Sequence, residues 1–167
     1  MERLSVLVVE DTKPMLNLIE TVLENIGVGH VYTAHDGQHG LEIFKKHSPD
    51  IILCDWEMPE FDGIAFTKEI RTNRTYPNRS VPIIMVTGYG MKGRVALARD
   101  AGITEFIVKP FTANVLVSRL AQVINSPRDF IECDTYVGPD RRRKKDPKYK
   151  GPFRRADDAV DLTFKGS

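Results

Sequence analysis

The chain has 167 residues, of which 41% are hydrophobic and 28% charged, with a formal net charge of +1. That is the size of one ordinary domain with an extension, and too short for two domains that each bury a full core. No apolar run reaches the length of a bilayer span, the first residues lack the layout of a cleaved leader, and Cys54 and Cys133 are spaced for neither a disulfide framework nor a zinc site. A cytoplasmic protein with no membrane span is therefore expected.

From Leu4 to Val123, short apolar runs rich in Val and Ile alternate with longer segments of helical period. Strands are predicted at Val6 to Val9, Val31 to Ala34, Ile51 to Cys54, Ile83 to Val86 and Phe106 to Val108. The first helix opens near Pro14, carries Leu16, Ile19, Val22, Leu23 and Ile26 along one stripe, and stops at Gly27. Further helices are predicted at Gly40 to Lys46, Ile64 to Arg71, Lys92 to Asp100 and Asn114 to Val123, the last capped by the Thr112 hydroxyl. Strands buried on both faces and separated by helices give an α/β fold, a doubly wound sheet of five parallel strands. Residues 1–125 then form one domain and residues 126–167 an irregular tail with no globular domain of its own.

In such a sheet, ligands bind beyond the carboxyl ends of the strands. The residues found there are Glu10 and Asp11 after the first strand, Asp55 at the third, Thr87 at the fourth and Lys109 at the fifth. Three carboxylates held close together repel one another and call for a cation. A donor set of hard oxygens, with no imidazole or thiolate, favours Mg2+. Asp55, at the end of a central strand, is the best-placed nucleophile. Its attack on a phosphoryl donor would give an acyl phosphate, with Mg2+ and Lys109 as counter-charges and the Thr87 hydroxyl donating to a phosphoryl oxygen.

These residues carry a family resemblance. The acidic pair Glu10-Asp11, the run Asp55-Trp56-Glu57-Met58-Pro59 with Asp62-Gly63, then Thr87-Gly88 and Lys109-Pro110-Phe111 resemble a CheY-like, flavodoxin-fold receiver domain of bacterial two-component signalling. The resemblance implies a phosphoacceptor signalling protein rather than an enzyme with an external substrate. It implies that Asp11, Asp55 and the Glu57 backbone carbonyl ligate Mg2+ directly, with Glu10 acting through water. It also implies a cis peptide before Pro110, a sensor histidine kinase or histidine phosphotransfer protein as donor, and a downstream target protein. Thr87 and Phe106 are the implied switch residues, reshaping the face made by the fourth helix, fifth strand and fifth helix. Phe106 lacks the hydroxyl of a tyrosine, and Gly88 stands where Ala or Ser is frequent. An aspartyl-phosphate phosphohydrolase would place a second Asp where Glu57 stands, and a nucleotide-binding module would need a Gly-rich loop in place of Glu10-Asp11-Thr12-Lys13-Pro14.

Charge is unevenly spread: 11 of the 24 Lys and Arg and 8 of the 23 Asp and Glu lie from Ser126 onward, so the tail is +3 and the body −2. The tail contains a repeat. Tyr136-Val137-Gly138-Pro139-Asp140-Arg141-Arg142 recurs thirteen residues on as Tyr149-Lys150-Gly151-Pro152-Phe153-Arg154-Arg155. Tyr offers a flat apolar face, Gly-Pro bends or extends the chain, and paired Arg grips carboxylates, so Tyr136, Arg141, Arg142, Tyr149, Arg154 and Arg155 read as a recognition unit used twice. A solvated basic run and a ligand for an acidic protein surface, that of its own domain included, are both open readings; binding to DNA or to an anionic membrane surface is less expected.

Overall fold

The computed structural model describes residues 3–88 and 95–141. Five strands, β1 (Ser5–Val9), β2 (His30–Ala34), β3 (Ile51–Asp55), β4 (Ile83–Thr87) and β5 (Glu105–Val108), form one parallel sheet in the order β2-β1-β3-β4-β5. Between them run α1 (Lys13–Asn25), α2 (Gly37–His47), α3 (Gly63–Thr72) and α4 (Val95–Ala101), and α5 (Ala113–Asn125) follows β5.

Each strand places alternate residues on opposite faces, which splits the core. Val6, Val8, Leu53, Ile84, Val86 and Ile107 meet Ile19 and Leu23 of α1 and Leu116 and Leu120 of α5. On the other face Leu7, Val9, Ile52 and Ile83 meet Leu41 and Phe44 of α2 and Phe66 and Ile70 of α3. A smaller cluster, Trp56, Ile64, Met85, Ala98, Ala101 and Ile103, joins α4 to the sheet with Phe106 packed against it.

The five strands lie where the sequence puts them, to within a residue or two at each end. Helix α2 begins at Gly37, three residues before the expected start, because the Asp36 carboxylate accepts from the His39 N–H at 2.7 Å and caps it there. Asp62 caps α3 in the same way through Ala65 N–H, and Thr112 caps α5 through Val115 N–H as expected. The expected start of the fourth helix, at Lys92, lies outside the described residues.

The beginning of the tail departs from the irregular course expected of it. β6 (Phe130–Cys133) and β7 (Tyr136–Pro139) pair antiparallel, Cys133 opposite Tyr136 and Phe130 opposite Pro139, with Asp134 and Thr135 making the turn. A lone two-stranded hairpin is marginal in water, so its stability comes from what it packs on. It lies at the amino-terminal edge of the sheet, against the C-terminal ends of α3 and α4. Gly102, at φ +94°, and Gly138 touch there: a Cβ on Gly138 would sit 2.8 Å from Gly102 Cα, so both positions require glycine. Arg71, 1% exposed, donates from Nε to the Gly102 carbonyl at 3.0 Å and from Nη1 to the Arg79 carbonyl, and its guanidinium lies 5.6 Å over the Phe130 ring. Arg79 pairs with Glu132 and Arg128 with Glu105. Tyr136 is buried and its hydroxyl donates to the Pro139 carbonyl at 2.7 Å. Arg141 stacks 3.7 Å over the Tyr136 ring and reaches Asp100 at 3.3 Å. Arg142, Tyr149, Arg154 and Arg155 lie outside the described residues.

Candidate functional site

Strand order reverses between β1 and β3, since the chain adds β2 on one side of β1 and β3 to β5 on the other. A crevice forms at such a switch point, outside the carboxyl ends of the strands. Register decides which side chains reach it. Val9 pairs with Cys54, Asp55 with Val86 and Thr87 with Val108, so Glu10, Asp55, Thr87 and Lys109 end up within about one residue of the same level.

The carboxylates of Glu10, Asp11 and Asp55 each offer an oxygen within 4.8 Å of the others. Glu10 and Asp55 are buried, Asp11 is exposed, and so the cluster opens to solvent on the Asp11 side. Lys109 closes the other side. Its Nζ lies 2.9 Å from Glu10 Oε2 and 3.1 Å from Asp55 Oδ1. Burial disfavours the ammonium, yet the hydrogen bond to Glu10 and the charges of Asp55 and Glu10 outweigh it and raise the Lys109 pKa. The peptide between Lys109 and Pro110 is cis, as the resemblance implies, and the Lys109 N–H donates to the Thr87 carbonyl at 2.7 Å.

The loop after β3 is built tightly beneath the cluster. A Cβ on Gly63 would lie 2.3 Å from the Asp55 carbonyl oxygen and 2.8 Å from Met85 Sδ, so only glycine lets α3 start this close to β3. The Gly63 N–H donates to the Trp56 carbonyl at 3.1 Å and holds the loop closed. Met58 and Trp56 turn into the core, whereas the Glu57 side chain is exposed. Thr87 is buried at the end of β4, and Phe106 is half-buried on the α4 side. The sequence thus locates every side chain of this cluster. Gly63 stands in it only as part of a motif; its steric role needs the contact with Met85, which is distant in sequence.

A hard-oxygen set of this kind, open on one side and flanked by a fixed ammonium, suits a divalent cation that keeps several waters. It also suits an incoming group with negatively charged oxygens, which would meet Lys109 on one flank and the Thr87 hydroxyl on another.

The family model of the response regulator receiver domain matches residues 6–121. The CheY homolog of Campylobacter jejuni, a chemotaxis protein, is 35% identical over 124 residues, covering 74% of this chain and 94% of that protein. Chemotaxis protein CheY1 of Helicobacter pylori is 34% identical over 127 residues, 74% of this chain and 98% of its own. Among solved structures, chemotaxis protein CheY4 of Vibrio cholerae superposes with a TM-score of 0.67 at 30% identity, over 72% of this chain and 98% of that one. The receiver domain of a Pseudomonas aeruginosa sensor histidine kinase, described with a magnesium ion coordinated in the active-site cleft, superposes with a TM-score of 0.65 at 30% identity, over 74% and 99%.

Proposed function

Since this chain belongs to the response regulator receiver family of two-component signalling, we propose that Asp55 is its phosphoacceptor, with Glu10, Asp11, Thr87 and Lys109 as the residues that make the transfer possible. The observation that carries this reading is the Lys109 ammonium, set 2.9 Å from Glu10 and 3.1 Å from Asp55 beside three converging carboxylates.

The donor would be a phosphohistidine on a sensor kinase or phosphotransfer protein. An Asp55 carboxylate oxygen attacks phosphorus, a P–O bond forms as the P–N bond breaks, and the imidazole leaves with the electron pair as a neutral ring, its other nitrogen having taken a proton from water. Asp11, Asp55 and the Glu57 carbonyl would hold Mg2+, with Glu10 behind them; when bound, the ion supplies positive charge against the phosphoryl oxygens. Lys109 follows the charge as it builds: an ammonium already fixed at Asp55 needs little reorganisation to bond a phosphoryl oxygen. Thr87 would donate its hydroxyl to another. Movement of Thr87 toward the new group would open space beside Met85 for the Phe106 ring and so reshape the α4-β5-α5 face read by a target protein; a few kcal/mol of differential contact suffices. On this reading the chain is a signalling phosphoacceptor, not an enzyme with an external substrate, and works in the cytoplasm. Among the described residues no helix is long and apolar enough to cross a membrane.

The division into a receiver over residues 1–125 and a tail over residues 126–167 is kept in this proposal, with one refinement. In the tail, Tyr136 and Arg141 would act in cis, as anchors onto the receiver itself. Their support is the stacking at 3.7 Å and the pairing of Arg141 with Asp100.

Intact-mass spectrometry after incubation with acetyl phosphate tests the acceptor. A phosphoryl adduct that requires Mg2+ and is absent from Asp55→Asn is expected; an adduct of equal yield on that variant would overturn the assignment.

A further inference from the structure

All four histidines of the chain fall between His30 and His47, on β2, α2 and the turn joining them. Two of them meet. His35 follows β2 directly and His39 lies in the first turn of α2; their ring centroids are 4.8 Å apart and their Nδ1 atoms 3.1 Å apart. Asp36 holds the pair from both sides. One carboxylate oxygen accepts from the His39 backbone N–H at 2.7 Å, and the other lies 3.2 Å from His35 Nε2. The second contact favours the tautomer of His35 with its proton on Nε2, which leaves the Nδ1 lone pair directed at His39.

Zinc-type ions bind imidazole nitrogen at about 2.0–2.1 Å. Two nitrogens about 3.1 Å apart therefore subtend roughly a right angle at one ion, which ordinary side-chain adjustment opens to tetrahedral. An imidazole ligand whose other nitrogen donates to a carboxylate is the usual outer arrangement of a metal-bound histidine. The His35 side chain is 71% exposed, so water can complete the coordination shell.

We propose that His35 and His39 form a second divalent-metal site, with Nδ1 of each ring as ligand and Asp36 as the outer partner of His35, selective for zinc and its imidazole-preferring neighbours over Mg2+. Without the ion, the same two atoms share one hydrogen bond, His39 donating and His35 accepting. Binding moves the His39 proton from Nδ1 to Nε2, which frees the Nδ1 lone pair for the ion. This site is distinct from the carboxylate cluster at β1 and β3, and the donor types divide the metals: nitrogen here, hard oxygen there. It does not depend on Asp55 being the phosphoacceptor.

The test is a titration of Ni2+ into the full chain in excess Mg2+, following the ring proton resonances of the four histidines. His35 and His39 are expected to broaden together, before His30 and His47, and His39→Ala to weaken the response of His35 at least about 10-fold. That variant keeps the backbone N–H that Asp36 uses, so the helix cap is retained. A Zn2+ titration by calorimetry should show one site in the wild type that survives Asp55→Asn and is lost in His39→Ala. Equal broadening of all four histidines, an unchanged His35 response in His39→Ala, or zinc binding that disappears with Asp55→Asn would each overturn the proposal.

Discussion

The two ends of the sheet handle charge in opposite ways. At the carboxyl end, three carboxylates converge, two of them on the Lys109 ammonium, and the cluster opens to solvent through Asp11. At the amino end, Arg79 meets Glu132, Arg128 meets Glu105 and Arg141 meets Asp100, while Arg71 is surrounded by carbonyls and the Phe130 ring. Excess negative charge at the first end favours a cation, and only such a cation together with Lys109 makes the place attractive to an anionic group. At the second end Glu132 is shared by Arg74 and Arg79 and Glu105 by Arg119 and Arg128, and this network of arginines serves to hold the hairpin. Function and stability should therefore separate on substitution, chemistry failing at one end and docking at the other.

The largest effect that separation predicts is at Asp55. Asp55→Asn should reduce the phosphoryl adduct to background while the melting temperature stays at or above that of the wild type, because one of three repelling carboxylates is gone. A large drop in melting temperature would show that this end, too, is held together by its ion pairs.

Lys109→Met comes next and cuts both ways. Transfer should fall on the order of 100-fold, measured as the initial rate of adduct formation. Leaving Glu10 and Asp55 without their ammonium should cost about 2 kcal/mol in the absence of Mg2+, less than for a fully buried pair because Lys109 is partly exposed. The pH dependence has a definite sign. The folded-state pKa of Lys109 is raised above 10.5, so its stabilising effect is fully present below that pH and is lost as pH rises through the folded value. The gap in melting temperature between wild type and variant should be constant from neutral pH to about 10 and close above it.

Gly102→Ala probes the other end. With φ at +94° and a Cβ that would meet the Val137 carbonyl at 2.9 Å, the substitution should cost about 2 kcal/mol. Amide exchange should rise across β6 and β7 and leave β1, β3 and the phosphoryl adduct unchanged. Loss of the adduct in this variant would break the separation of the two ends.

The smallest effect is that of Tyr136→Phe, which deletes the hydroxyl bonded to the Pro139 carbonyl. About 1 kcal/mol is expected, read as faster exchange in the hairpin alone.

The same contrast explains what could be read from the sequence. The sheet and the carboxylate cluster were legible because their signals are local: a Val- and Ile-rich run gives the strand, and the residue that follows it gives the side chain at the common edge. Asp36 as the cap of α2 was missed, although Asp before a helical stretch is an ordinary start signal. The hairpin was not legible for a deeper reason. Phe130, Ile131, Tyr136 and Val137 supply only four apolar residues, too few for a strand pair to stand alone, and what stabilises them comes from Arg71, Arg79 and Gly102, distant in the chain. The Tyr-x-Gly-Pro-x-Arg repeat was visible as a pattern, but the fit of Gly138 against Gly102 is a property of the folded surface. Cluster residues that must each face a common edge leave a trace in order and spacing; a docked segment leaves one only in its own composition.

Because the hairpin is seated on the amino-terminal edge, it lies at the pole opposite Asp55. A contact made on the hairpin would leave the pole at Asp55 clear, so docking there and chemistry at the carboxylate cluster need not compete for the same ground.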